Sequence, residues 1–187
     1  AVGKFAKTNW ATDVDLETGK PIYSPQGEYW NLADGEASLI WPNTWGSRNW
    51  TPMAYHVGHS LVYIPVIDVP GKRSGGGGES EAIVMVTEVD GKPHAPGKLV
   101  AMDPRNGRIR WSVDRALPFN GGLLATGGDL VFQGTASGNF DAFAAVTGER
   151  LWSVQTGSSI NAAPVSYSLN GVQYILIPIG AGGGLQF

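Results

Sequence analysis

Residues 101–111, AMDPRNGRIRW, and residues 142–152, AFAAVTGERLW, are two copies of one unit, with Ala101 matched to Ala142, Gly107 to Gly148 and Trp111 to Trp152. The spacing of 41 residues is the period of a four-stranded blade of a β-propeller, not of a helical solenoid, because the segments between copies alternate apolar and polar residues between turn signals. Each residue type has a local reason. One strand ends at the Asp position, a tight turn needs Gly for a positive φ, and the next strand carries an aromatic to bury. A weaker third copy occupies residues 13–23, DVDLETGKPIY, with Asp15 at the place of Asp103 and Tyr23 at the place of Trp111. Its Gly19 precedes Gly107 by 88 residues, two blade lengths, so the blade between has lost the unit.

From residue 98 onward the pattern is regular. It predicts strands at 98–103, 108–113, 121–125, 129–134, 139–144, 150–155, 162–169 and 173–178, separated by Asn-Gly, Gly-Gly-Asp, Ser-Gly-Asn and Thr-Gly-Glu turns. With 27 Gly, 12 Pro and 16% charged residues, the composition is that of a turn-dense all-β protein. Residues 61–67 read as a strand whose Pro65 suggests an edge or a bulge. Trp30, Trp41, Trp45 and Trp50 fall in an irregular stretch expected to pack down, since exposing four indoles forgoes a large burial gain. The expected architecture is three to four blades of a larger ring. A propeller needs at least ~4 blades to close, so either a longer chain or a partner chain completes it.

Other chemistries are poorly represented. Thirteen Lys and Arg against sixteen Asp and Glu give a formal charge of −3, with no basic footprint for nucleic acid. No cysteine is present, which excludes disulfides, thiolate metal sites and C-x-x-C-H haem attachment within these residues. No apolar run approaches the ~18 residues of a membrane span, and no transmembrane segment is expected. Four consecutive glycines at 75–78 lack the Gly-Lys-Ser/Thr of a phosphate loop and read as part of a mobile surface loop. His56, His59 and His94 read as loop residues, and no helical pair of histidines, nucleophile triad or paired carboxylates is recognisable.

The A-x-D-x-x-x-G-x-x-x-W pattern, met in full by Ala101, Asp103, Gly107 and Trp111 and in part by Ala142, Gly148 and Trp152, resembles the tryptophan-docking motif of eight-bladed quinoprotein dehydrogenases. Two further stretches narrow the likeness. Residues 46–55, GSRNWTPMAY, followed by 61–65, LVYIP, are similar to the segment of pyrroloquinoline-quinone (PQQ) alcohol dehydrogenases that brings an Asn to the cofactor. Residues 117–135 are similar to the stretch entering the following blade, and the likeness covers nearly the whole chain.

The resemblance implies an all-β fold of propeller blades docked by tryptophan. It implies a division into 1–60, a partial blade and pocket loop; 61–115, a blade with a long Gly-rich insertion; and 116–187, the last blades and ring closure. It also implies a cofactor wall formed by Asn49, Trp50, Asn120, Gly121 and Gly184. A side-chain amide offers a directed donor to a quinone oxygen without adding charge, and glycine lets backbone N–H groups come close. The implied reaction is oxidation of a primary or secondary alcohol, polyol or sugar with PQQ and Ca²⁺ or a lanthanide, passing electrons to cytochrome c or a quinone in the periplasm. The metal ligands and the catalytic base of that family lie outside these residues, so the stretch alone is expected to be inactive, with the remaining N-terminal blades as its partner. A non-catalytic propeller scaffold for protein interaction shares the docking motif and stands as the alternative; the loop around Asn49 is the discriminating feature.

Overall fold

A computed structural model describes residues 3–75 and 82–180. Among them there is no α-helix, only one short 3₁₀ turn at Tyr29–Asn31, and no helix long and apolar enough to cross a membrane. The chain divides into two compact units.

The first unit, which includes residues 50–66 and everything from Gly97 onward, contains two complete four-stranded antiparallel blades. In the first, Ala54–His56 is an edge strand, followed in space by Leu61–Ile67, Gly97–Asp103 and Arg108–Arg115 at the other edge. The second blade runs Leu123–Ala125, Leu130–Gly134, Asn139–Ala144, Arg150–Gln155 in simple sequence order. The first blade thus begins at Ala54, ahead of the expected boundary at 61, because the short Ala54–His56 strand pairs with Leu61–Tyr63. That pairing also explains Pro65: the edge strand has already ended opposite Tyr63, so on that side the missing N–H interrupts no ladder. A two-stranded hairpin, Val165–Leu169 with Val172–Leu176, follows the second blade. Residues 162–164, expected in its first strand, stay outside it.

The core of this unit lies between the two blades. Leu61, Tyr63, Leu99 and Ala101 from the first pack with Leu123, Val131, Phe143 and Ala145 from the second. Alternation along each strand turns these apolar side chains to one face.

All three copies of the repeated unit close in the same way. Gly19 N–H donates to Asp15 O at 2.8 Å, Gly107 N–H to Asp103 O at 2.8 Å, and Gly148 N–H to Ala144 O at 2.9 Å. The three glycines sit at φ +71°, +69° and +74°, the left-handed region where a Cβ is strained. In the two blades the motif Ala stands directly across the ladder from the motif Trp, Ala101 opposite Trp111 and Ala142 opposite Trp152, with a bulge on the next residue. A small residue opposite the indole leaves room for the ring to lie flat.

The second unit, residues 6–49 and 67–96, holds a three-stranded sheet of Ala37–Ile40, Gly71–Ser74 and Ala82–Ile83, with the hairpins Ala11–Val14/Pro21–Tyr23 and Glu88–Val89/Lys92–Pro93. Ile40, Trp41, Ile67 and Val69 are its buried apolar residues. Gly71–Ser74 is therefore the middle strand of a sheet rather than the start of a loose loop, and the tract at 76–81 lies outside the described residues. Of the four tryptophans expected to pack down, Trp41 is buried and Trp45 partly so, whereas Trp30 and Trp50 are each 56% exposed.

Candidate functional site

The docking contact between blades is explicit at the first repeat. Trp111 N–H donates to Ala145 O at 3.0 Å, and Tyr63 O–H donates to the same carbonyl at 3.0 Å. The Trp111 ring lies against Gly148, where an added Cβ would come within 2.6 Å of the indole. Burial raises the Tyr63 phenol to about 12, with the Asp129 carboxylate adding to the effect. Asp103, the acid of the motif, acts within its own turn. Its carboxylate accepts from Arg105 N–H and Nε at 3.0 Å, from Arg105 Nη2 at 2.8 Å and from Asn106 Nδ2 at 3.3 Å. The Arg105 hydrogen bonds hold that carboxyl down to about 2.

With the blades fixed, several of the stretches singled out by the sequence converge. Gly121 N–H pairs with Gly134 O at 2.9 Å, and a Cβ on Gly121 would meet Ile160 O at 2.7 Å. Gly122 lies under Pro52, whose Cδ would be 2.6 Å from an added Cβ, and Pro52 O accepts from Leu123 N–H at 3.1 Å. Gly180 N–H donates to Ser159 O at 2.8 Å. The Trp50-Thr51-Pro52 segment, the Asn120-Gly121-Gly122 entry to the second blade and the 159–163 segment with Gly180 therefore form one neighbourhood. Gly184 lies outside the described residues.

The individual side chains behave differently. Asn120 is buried; its Nδ2 donates to Leu117 O at 2.7 Å and its Oδ1 accepts from Ala136 N–H at 3.2 Å, so the amide ties its own loop to the turn at Ala136. Gly121 has no open side, because backbone carbonyls of residues 134, 160 and 162 surround the place of its missing Cβ. Trp50, by contrast, presents more than half of its indole to solvent. Asn49, in the other compact unit, donates from Nδ2 to Trp45 O at 3.1 Å, which leaves its Oδ1 and second N–H for other partners.

Sequence reasoning missed the buried network behind this neighbourhood. Arg115 donates from Nη1 to Asp141 Oδ2 at 2.7 Å and from Nε and Nη2 to Gln133 Oε1 at 3.0 and 2.6 Å, while Gln133 Nε2 donates to Gly121 O at 3.2 Å. Arg115, Gln133 and Asp141 are all buried, and the guanidinium also lies 4.9 Å from the Phe143 ring. Desolvation pulls the Arg115 pKa down, opposed by the Asp141 carboxylate. The available signal was parity along the strands: Gln133 and Asp141 are cross-strand partners, so one substitution pattern places both amide and acid beneath the same loop.

Comparison with known proteins agrees with this architecture. Residues 97–175 match the family model for the β-propeller domain of PQQ glucose/ethanol/alcohol dehydrogenases. The chain is 41% identical over 182 residues to lupanine 17-hydroxylase [cytochrome c] of a Pseudomonas species, covering 96% of the chain and 26% of that protein. It is 38% identical over 188 residues to quinohemoprotein alcohol dehydrogenase ADH IIB of Pseudomonas putida, covering 96% and 27%. The solved structure of the quinohemoprotein alcohol dehydrogenase ADHIIG from Pseudomonas putida superimposes with a TM-score of 0.81 at 33% identity, over 95% of the chain and 28% of that protein. The chain thus spans about a quarter of the length of the relatives it matches.

Proposed function

Because this chain belongs to the PQQ-dependent alcohol dehydrogenase family, as a stretch of its β-propeller, we propose that it builds one wall of the quinone pocket in an enzyme that oxidises alcohols. The observation that carries this reading is the identity of 38 to 41% sustained over 96% of the chain. The convergence of the Trp50–Pro52 segment with Gly121-Gly122 supports it.

The residues present suit one edge of a flat, anionic quinone and not all of it. Trp50 offers an exposed indole face to an aromatic plane, and Asn49 retains amide capacity for a quinone oxygen. Asn120 and Gly121 support the wall from behind, since their polar groups and free volume are already taken up by the chain itself. The buried Arg115 is committed to Asp141 and Gln133, so the positive charge that balances the cofactor comes from elsewhere in the enzyme. PQQ, with Ca²⁺ or a lanthanide held by other blades, supplies the acceptor for the alcohol's hydride. This chain's residues orient that acceptor and exclude water from one side. The substrate is a primary or secondary alcohol, polyol or sugar, the electrons leave to cytochrome c or a quinone, and the enzyme works in the periplasm.

The test uses the full polypeptide, reconstituted with PQQ and Ca²⁺, desalted and assayed for retained quinone absorption and dye-linked oxidation of ethanol. The wild type should retain the quinone and turn over, while Asn49→Ala should lower cofactor retention about tenfold, the value of one hydrogen bond to a charged group. A wild type that neither holds quinone nor oxidises alcohol overturns the reading in favour of a scaffold. Unchanged retention in Asn49→Ala removes Asn49 from the wall.

A further inference from the structure

We propose that His56, His59 and Asp129 form a binding site for a divalent transition-metal ion of the zinc type, separate from the quinone pocket, that ties together the inner turns of the two complete blades. The three residues come from different places in the chain. His56 ends the Ala54–His56 strand, His59 lies in the turn that follows, and Asp129 opens the Leu130–Gly134 strand of the second blade.

Their ligating atoms already converge. His59 Nε2 is 2.8 Å from Asp129 Oδ1 and His56 Nε2 is 3.2 Å from the same oxygen, and all three ligating atoms lie within 4.8 Å of one another. Metal–ligand bonds of ~2.0–2.1 Å in a tetrahedral site put neighbouring ligand atoms about 3.3 Å apart, so modest side-chain rotation would seat an ion. The imidazoles stack with centroids 4.5 Å apart.

A second observation points to a missing ligand. His56 is 9% exposed, and its Nε2 is a buried polar atom with no hydrogen-bond partner, because its approach to Asp129 lacks hydrogen-bond alignment. Buried ring nitrogens are almost always paired. His56 Nδ1 accepts from His59 N–H at 3.3 Å, so without metal the ring proton sits on the orphaned Nε2. An ion at Nε2 puts the ring proton on Nδ1, which faces the His59 N–H, so binding breaks that long amide contact and needs a small rotation of the His56 ring.

The turn geometry presents the site rigidly. Asp129 sits at φ +61°, held by its own N–H to Thr126 O at 3.3 Å and by Ala145 N–H to its carbonyl at 2.9 Å, and Ser60 in the facing turn sits at φ +53°. Non-glycine residues in this region are uncommon and mark positions fixed by their surroundings. Asp129 is 62% exposed in its side chain and His59 also lines a shallow cleft beside Leu61 and Arg105, so one coordination position faces solvent. Two imidazoles and one carboxylate suit zinc, nickel, copper or iron, and do not suit calcium, which takes oxygen ligands.

The experiment uses the full polypeptide free of quinone, stripped with chelator and given Zn²⁺ alone, with bound zinc per chain measured after desalting and thermal unfolding followed with and without the ion. The wild type should keep one zinc equivalent and unfold at a higher temperature with it. His59→Gln and, independently, Asp129→Asn should lose that equivalent, bind Zn²⁺ about a hundredfold more weakly and show no thermal gain. Both substituted side chains are partly exposed, so the variants should fold. Zinc content equal in wild type and variants, or none in the wild type, overturns the proposal. The readout needs neither PQQ nor alcohol, so its outcome is independent of the quinone reading.

Discussion

The two complete blades carry the same docking unit, and among the described residues only the first has a second complete blade beside its Trp. In the first, Trp111 is half-buried, with its N–H on Ala145 O and its ring on Gly148 of the second blade. In the second, Trp152 stands 49% exposed and meets Phe140 edge-on within its own blade. The unit is therefore half of an interaction. Its Trp is a plug and its Ala-Gly turn a socket, and only a neighbouring blade in register completes them. The same asymmetry runs through the outer strands: Arg150–Gln155 is exposed along its whole length, while Arg108–Arg115 ends on the buried Arg115.

The largest expected effect breaks the tie at that buried end. Arg115→Met leaves Asp141 charged and buried without its cation, a loss of roughly 3–5 kcal/mol, measured as a drop in the denaturant midpoint. Arg115→Met with Asp141→Leu should recover much of it, because removing both charges also removes both desolvation costs. A double variant as unstable as the single one would show that Gln133 and the loop at Gly121, not the ion pair, depend on Arg115.

Next comes the plug itself. Trp111→Ala should cost about 3–5 kcal/mol, the range for a packed Trp, while Trp152→Ala in the same background should cost under about 1 kcal/mol within this pair of blades. Trp111→Phe keeps the apolar face and loses the N–H to Ala145 O, a loss of about 1 kcal/mol. Equal costs at Trp111 and Trp152 would mean that Trp152 is docked on a further blade in the full protein, which would sharpen the comparison into a count of interfaces.

How much of this was legible in the sequence follows the range of each interaction. The turns, their glycines and the Ala–Trp pairing are local, fixed by residues within eleven positions of one another, and the repeat exposes them. The Asn120 clasp is local only on its Leu117 side, its bond to Ala136 crossing sixteen residues, and an amide that satisfies backbone and an amide that awaits a ligand look alike in a sequence. What was illegible is non-local. His56 and Asp129 are 73 residues apart, and nothing near either one signals the other. The excursion of residues 67–96 into a second compact unit was hidden for the same reason: Gly71–Ser74 becomes a strand only through pairing with Ala37–Ile40. Trp30 and Trp50 show the converse, since aromatic content predicts burial on average and not at an individual loop position.

The smallest effect, and the most direct probe of the two copies, concerns the acid that one has and the other lacks. Asp103 sits near pKa 2, held there by Arg105, so it favours the folded state fully above the unfolded carboxylate value near 4. That contribution fades as the pH falls from about 4 to about 2. Asp103→Asn should therefore lower the melting temperature at neutral pH and flatten the loss of stability across that acid window. The second copy has Ala144 at this position, but its turn keeps the other parts. Thr147 Oγ accepts from Glu149 N–H at 3.3 Å, as Thr18 Oγ accepts from Lys20 N–H at 3.4 Å in the third copy. There Asp15 accepts from Thr18 Oγ–H at 2.7 Å and from Glu17 N–H at 2.9 Å, and these bonds draw its pKa down. Ala144→Asp should build the same clasp with Thr147 and raise the melting temperature by roughly 1–3 °C at neutral pH, with the gain vanishing toward pH 2. A gain that persists in acid would have to come from packing of the new side chain, and the turn acid would then be a spacer in one copy and a hydrogen-bond hub in the other two.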